Sequence, residues 1–438
     1  ATGMNDGTSW YDAFNDLQDA LQLARTDSAI TEVWVADGSY SPASATGART
    51  AAFDLPDGVG VYGGFGGLDC AEYYNGEWER VQRDASIYEA ILTGDLKSDD
   101  TAGGDASENC YHVVTARLVG ATTTLDGFTI MSGNANGLAA SGDNTGGGIL
   151  IDTASPILAR LIVKNNKATG SGGAIYVRKN SDPNISDCVF LGNTSSLNGG
   201  GVYNLGNGTF KNCAFIGNRS NGFGGGIINQ DNTAVLLGCL FSGNRAGGAG
   251  GGSYNAGSGT KTYINCTFGS NIAVQDGGGI ATVMSTVGVS NSILWGNTDR
   301  SGTGEIAQLF RQGGNLTVDY SCIRDWTRGG TKNMTDDPQF VLPLGVDGVA
   351  GTADDNLRLA PGSPCLDAGN TFALFFENTL EKDLDGAPRI QDDPCAYNTG
   401  SSFFFGSPVV DMGAYEHFYP STFTNKVVYV SALATGNN

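Results

Sequence analysis

Residues 187–204 read "DCVFLGNTSSLNGGGVYN", and "NCAFIGNRSNGFGGGIIN" (212–229) and "GCLFSGNRAGGAGGGSYN" (238–255) follow in the same frame. "RLIVKNNKATGSGGAIYV" (160–177) and "NCTFGSNIAVQDGGGIAT" (265–282) align with them without gaps, with a longer copy over 129–151 and a decayed one over 292–308. The recurring asparagines are Asn134, Asn166, Asn193, Asn218, Asn244, Asn271 and Asn297; after a first step of 32 they recur every 25 to 27 residues. Glycine clusters beginning at Gly146, Gly172, Gly199, Gly224, Gly250 and Gly277 keep the same beat. Self-similarity at a fixed period is the mark of a repeat architecture.

Each unit has a readable structure. Cys188 and Phe190, Cys213 and Phe215, Cys239 and Phe241, and Cys266 and Phe268 stand two apart, which places each pair on one face of a strand. A second short strand follows each glycine cluster, as at Val202–Asn204. Such strands are too short to fold alone, so the units must stack on one another. A period of roughly 26 with no helical pattern predicts an all-β fold, a right-handed parallel β-helix with one repeat per coil. A leucine-rich repeat needs leucine at fixed offsets, and a propeller blade needs about 40 residues. Stacking places equivalent positions about 4.8 Å apart. Asn166, Asn193, Asn218, Asn244 and Asn271 should then form a hydrogen-bonded ladder, and Cys188, Cys213, Cys239 and Cys266 an inward stack of buried thiols, with Cys322 as a candidate extension. A linear stack does not supply the tetrahedral convergence of a zinc site.

Composition agrees. The chain has 67 glycines, 12 prolines and 40% hydrophobic residues, which suits many tight turns around a real core and excludes collagen and disorder. The formal net charge of −21 disfavours nucleic acid, anionic lipid and acidic polysaccharide as partners. No apolar run reaches the roughly 18 residues of a membrane span. Nine cysteines and seven N-x-S/T sequons, the first at Asn184, lean toward a secreted, extracellular or cell-surface protein.

The ends depart from the beat. Ser9–Asp12 has the form of a capping box, and Trp10, Phe14, Leu17, Leu21 and Ala24 follow at helical spacing, predicting an amphipathic helix over the first coil. "EVWVADGSY" and "GVGVYGGF" read as the first strands. The expected organisation is a cap helix with first coils (1–116), regular repeats (117–335), an Asp/Pro-rich irregular C-terminal cap (336–417), and a linker with a terminal strand (418–438).

These motifs make a resemblance visible. "ATGMNDGTSWYDAFNDLQDAL", "VWVADGSY", "FDLPDGVGVYGGF", the repeats, "DDPQF", "LRLAPGSPCLDAG", "DLDGAPR" and "DMGAYEH" resemble secreted parallel β-helix repeat proteins of the pectate-lyase-like superfold, and more closely the non-enzymatic surface proteins with choice-of-anchor ends. The resemblance implies an extracellular or cell-surface protein without catalysis. In such proteins a "YV-x-x-x" strand precedes the "ATG-x-NDGTSW" segment; here that strand, "VVYVSALATGNN", occupies 427–438.

Chemistry has few candidates. His112 and His417 lie far apart, and the carboxylate pairs Asp336/Asp337, Asp354/Asp355 and Asp392/Asp393 all fall in the C-terminal region, so no catalytic residue is assigned; a polysaccharide lyase or hydrolase is the third reading. No cofactor is required, and calcium at Asp347, Asp354 and Asp355 is weighed against a solvated turn. Asp383 and Asp385 are expected to pair with Arg389. Cys70 with Cys110, and Cys365 with Cys395, are candidate disulfides in the loop-rich ends.

The displaced strand suggests assembly. Nine residues, 418–426, span about 30 Å fully extended, short of a solenoid body of roughly 40–60 Å. Val427, Val428, Tyr429, Val430 and Leu433 would therefore add to Val33, Trp34 and Val35 of the next molecule, giving a head-to-tail filament with the chain as its own partner. The alternatives are a strand folded on its own last coil, one module of a tandem protein, and an adhesin or carbohydrate-binding module that engages surface glycans through a flat side of the helix.

Overall fold

The computed structural model describes residues 3–67, 83–100, 105–376, 380–393, 396–402 and 407–417. The repeats wind into a parallel β-solenoid of about ten turns. Each full coil contributes a strand to sheet I, then to sheet II, then a two-residue strand to sheet IV, then one to sheet III. Sheet I has ten strands, from β1 (Glu32–Ala36) to Leu316–Asp319, and sheet II has ten, from Gly38–Tyr40 to Cys322–Ile323. Sheet III has nine, from Phe53–Asp54 to Leu309–Gln312, and sheet IV has six.

The corners explain the sequence. In one coil, Asp187 (φ 55°), Gly192 (φ 63°) and Gly199 (φ 63°) separate Asn184–Ser186, Val189–Leu191, Thr194–Ser195 and Val202–Asn204. Left-handed backbone favours Gly, Asn and Asp, which is what recurs there. Within the triplet the glycines do different work: Gly199 makes the turn, whereas a Cβ on Gly200 would lie 2.5 Å from the Gly225 carbonyl oxygen of the next coil. Inside, Phe190, Phe215, Phe241 and Phe268 stack with centroids 4.8, 4.5 and 4.4 Å apart, and Leu294 and Ile323 continue the column.

The N-terminal helix starts later than its hydrophobic stripe predicts. Helix α1 spans Leu17–Thr26, and Asp16 caps it by accepting from the Gln18 amide at 2.9 Å. Ser9 and Asp12 do exchange hydrogen bonds, but they close a turn. Trp10 precedes the helix and packs on Phe65, on which Trp34 stacks at 4.9 Å. Leu17 and Leu21 close the end of the core, as expected of a cap.

The described residues of 336–417 pack on the last coil and also run back along the solenoid, covering the outer face of sheet II from the Val189–Leu191 strand to the Cys322–Ile323 strand. Leu357, Ala414 and Tyr415 pack on Ala214 and Leu240; Cys365, Leu366 and Met412 pack on Ile293 and Cys322. Leu374, Leu380 and Val410 cover Leu237 and Ile264 at the adjoining edge of sheet I. The strands beneath carry Val189, Ala214, Ile216, Leu240 and Ile293 outward, and the polar Ser242 and Thr267 among them bond to Asp355 and the Ala414 amide, so burial on both faces accounts for their composition.

Candidate binding face

The asparagine ladder is present and longer than its sequence signal. Asn166, Asn193, Asn218, Asn244 and Asn271 each donate Nδ2–H to the Oδ1 of the next rung at 2.9–3.1 Å, and Asn297 donates to Gln308 Oε1 at 2.8 Å. Each also donates to a strand carbonyl of the previous coil, as Asn218 does to Phe190 O at 2.8 Å. At the other end Gly133 N, not Asn134, meets Asn166 Oδ1, because Asn134 pairs with Lys167. The long first step has another cause, the longer loop before Gly146: thirteen residues separate Gly133 from Gly146, against six from Asn166 to Gly172. Asn204, Asn229 and Asn255 form a second, shorter ladder inside sheet III, joined by the Tyr263 hydroxyl. The recurring "VYN", "IIN" and "SYN" carried that signal unread.

Cys188, Cys213, Cys239 and Cys266 are buried free thiols, as expected, and burial raises the first three well above the usual thiol range. Ser292 and Ser321, not Cys322, follow in their column: Cys322 pairs in register with Ile293 and faces outward toward Cys365. Cys110 and Cys365 are buried thiols unpaired among the described residues; the partners expected for them, Cys70 and Cys395, lie outside the described residues.

The outer faces of the three long sheets differ. Sheet II is covered from Val189–Leu191 to Cys322–Ile323. Sheet I presents mainly polar side chains, Asn184, Thr209, Thr262 and Thr317 among them. Sheet III presents Tyr176, Tyr203, Ile228, Tyr254, Ala281 and Phe310 in register. The Tyr176 and Tyr203 rings stack at 5.1 Å, Phe223 leans on Tyr254 at 4.7 Å, and all four are half-buried. The Tyr203 hydroxyl donates to Gln230 Oε1 at 2.8 Å, and Arg178 pairs with Asp152 beside the column. Burial raises the Tyr176, Tyr203 and Tyr254 hydroxyls, Tyr203 to about 12, so they stay protonated donors. Exposed apolar side chains border the face at both turns: Leu138, Leu197 and Val274 before its strands, Leu118 and Met284 after them. Rings with one wet polar tip over an apolar body suit recognition of amphipathic ligands.

The motifs at 365–369, 383–389 and 411–417 meet in one buried polar knot. Arg389, fully buried, donates to Asp411 O at 3.0 Å and Gly413 O at 2.6 Å, and its Nε lies 3.6 Å from Glu416 Oε2. This replaces the expected pairing: Asp385 instead holds Arg358, and Asp383 accepts from the Glu416 and Ala387 amides. Burial raises Asp367 to about 7 and Asp411 to about 6, and pushes Glu416 well up. His417 Nδ1 lies 3.1 Å from Asp393.

The expected calcium residues are engaged as turn acceptors. Asp354 accepts from the Val346 and Asp347 amides and Thr352 Oγ1, while Asp355 turns inward to accept from Ser242 Oγ and Gly351 N. Among the described residues the one close carboxylate cluster is elsewhere, at Asp95, Asp99 and Asp100. Val33, Trp34 and Val35 sit on β1, the terminal strand of sheet I, paired on one side with Gly60–Phe65. Val427, Val428, Tyr429, Val430 and Leu433 lie outside the described residues. No helix among the described residues is long and apolar enough to cross a membrane.

Comparison with curated proteins found no match. Residues 160–178 and 187–205 match the repeat of the Chlamydia polymorphic membrane protein. Both stretches run from sheet II through a ladder asparagine and the glycine turn to sheet III, and they carry Tyr176 and Tyr203. Over these two coils the chain is therefore similar to a repeat of membrane proteins.

Proposed function

We propose that this chain is a surface-displayed, non-enzymatic binding scaffold whose sheet III face engages glycans. The aromatic column Tyr176–Tyr203–Tyr254 carries the reading: rings stand at three of four consecutive coils, with the buried Ile228 between the last two, and they stay partly exposed while the later strands of sheet II are covered. Three strand spacings, about 14 Å, separate Tyr176 from Tyr254, which suits an oligosaccharide laid along the axis. The similarity to a polymorphic membrane protein repeat supports display at a surface. On a glycan array the intact protein should bind a restricted set of oligosaccharides, with polyuronates excluded by its acidic surface. Absence of binding to any glycan, with binding to a protein instead, would replace the ligand class.

Head-to-tail assembly, with 427–438 of one molecule added beside β1 of the next, is a second reading. His417 donates its amide to Asp411, whose carbonyl accepts from Asn265 on the eighth coil of sheet I. Seven strand spacings, about 34 Å, separate that coil from β1, against about 30 Å for nine extended residues. A neighbouring molecule's β1 edge is then easier to reach than the chain's own. Electron micrographs of the intact protein should show filaments that vanish when 427–438 are deleted; monomers at high concentration would refute this reading.

A further inference from the structure

The last strand of sheet II and the segment 336–417 laid over it each bring a cysteine to the same place. Cys322 follows Ile293 on the outer side of the sheet, and its amide donates to Ser292 O at 2.8 Å. Cys365 belongs to the covering segment, where the Met412 amide donates to its carbonyl at 3.0 Å and its own amide donates to Ser363 Oγ at 3.2 Å. Both cysteines are 0% exposed and share one apolar cluster with Ile293, Leu359, Leu366 and Met412. The short stretch 336–338 is bonded from both sides: Cys322 Sγ donates to Asp336 O at 3.2 Å, and Ser363 Oγ donates to Pro338 O at 2.7 Å. The sheet thus anchors one backbone and a hydrogen-bonded turn the other.

The two thiols also act on each other directly. The Cys322 side chain is the largest influence on the Cys365 thiol, ahead of burial, and pushes it well above the usual thiol range. The inward stack behaves differently: at Cys188, Cys213 and Cys239 burial comes first and the neighbouring thiol second. There the cysteines stand in register on parallel strands, about 4.8 Å apart, which is wider than the roughly 3.5–4.5 Å between the Cβ atoms of a disulfide. Cys322 and Cys365 approach instead from two facing elements, with no fixed strand spacing between them.

We propose that Cys322 and Cys365 form a disulfide that fastens the segment 336–417 to the last coil. The chemistry is thiol–disulfide exchange: two S–H bonds break and one S–S bond forms. The two electrons and two protons pass to an external disulfide such as oxidised glutathione, which leaves as two thiols. Attack needs a thiolate and access, and burial in the finished fold denies both. The bond therefore forms before the segment docks, and the docked segment then shields it from reductant. Closing 323–364 into a loop removes conformational freedom from the unfolded chain.

The test is peptide mapping by mass spectrometry of the intact chain, refolded in a mixed glutathione buffer, alkylated in denaturant and digested without reductant. A linked peptide joining Cys322 to Cys365 is expected, with Cys188, Cys213, Cys239 and Cys266 recovered as alkylated thiols. Free thiols at 322 and 365, or a link from either to Cys395 instead, would overturn the proposal. Since substitution could loosen the packing by itself, melting temperature is compared between oxidised and reduced forms of each protein rather than between proteins. The intact chain should melt a few degrees lower once reduced in denaturant and refolded with reductant, and Cys322→Ala/Cys365→Ala should lose less on the same treatment. An intact chain indifferent to reduction, or a double variant equally sensitive to it, would contradict the role of this bond.

Discussion

Asn218→Leu is expected to destabilise the solenoid by about 3–6 kcal/mol, at about 1–3 kcal/mol for each buried group left unpaired. Asn218 is fully buried, and its Oδ1 accepts from both the Asn193 backbone amide and Asn193 Nδ2 at 3.0 Å. Its own Nδ2 serves Phe190 O and Asn244 Oδ1. Leucine fills the space but strands the Asn193 amide and the Phe190 carbonyl, while Asn193 Nδ2 keeps only its bond to Val163 O, so two groups lose their partner outright and a third loses half of its bonding. Because coils interact with nearest neighbours, the defect should concentrate there. Hydrogen exchange should accelerate at Asn193 and Arg219 far more than in the coils beyond Asn271. A loss below about 1 kcal/mol would mean that the ladder is not an obligatory support.

Arg389→Leu should release the segment 336–417 from sheet II while the solenoid beneath stays folded. The guanidinium is the arginine charge set beside the buried Glu416 and Asp411. Removing one partner of a buried pair costs about 3–5 kcal/mol at neutral pH. The effect should shrink in acid. The folded-state pKa values of Asp367, Asp411 and Glu416 are raised above the unfolded carboxylate range of about 4, so the folded chain holds more protons between about pH 4 and 7. Stability from these groups is fully present at low pH and falls as pH rises through about 6 and 7. His112, lowered by burial, contributes in the opposite sense. Three carboxyls against one imidazole leave a net fall. Thermal melts of intact protein should lie a few degrees higher at pH 5 than at pH 7, and the deficit of Arg389→Leu should be smaller at pH 5. A higher melting temperature at pH 7 for the intact chain would contradict this account of the knot.

What could be read beforehand follows from periodicity. The coils, the asparagine ladder, the phenylalanine column and the thiol stack repeat every 25 to 27 residues, and repetition turns a weak local pattern into a register. The ladder's end at Gln308 was not legible, because a longer side chain reaches the rung from a different place in a shortened coil. The flank formed by 336–417 left only an indirect trace, the outward Ala214, Leu240 and Ile293. A bare sheet would carry polar residues there. Arg389 meets Glu416 rather than the aspartates next to it because Asp383 is already spent on turn amides. The aromatic column was visible as "IYV", "VYN" and "SYN", but which of two faces points outward is known only once the inward asparagines of sheet III are placed.

The central claim is that sheet III is a ligand-binding face, and the sharpest measurement is affinity for the best glycan from the array, compared between the intact chain and a Tyr176→Ala/Tyr254→Ala variant. Each stacking ring contributes about 0.5–1.5 kcal/mol beyond its buried area, so removing two should weaken binding at least about tenfold, while Thr209→Ala on sheet I leaves it unchanged. Undiminished affinity in the double tyrosine variant, with its melting temperature preserved, would place the binding elsewhere and contradict the account.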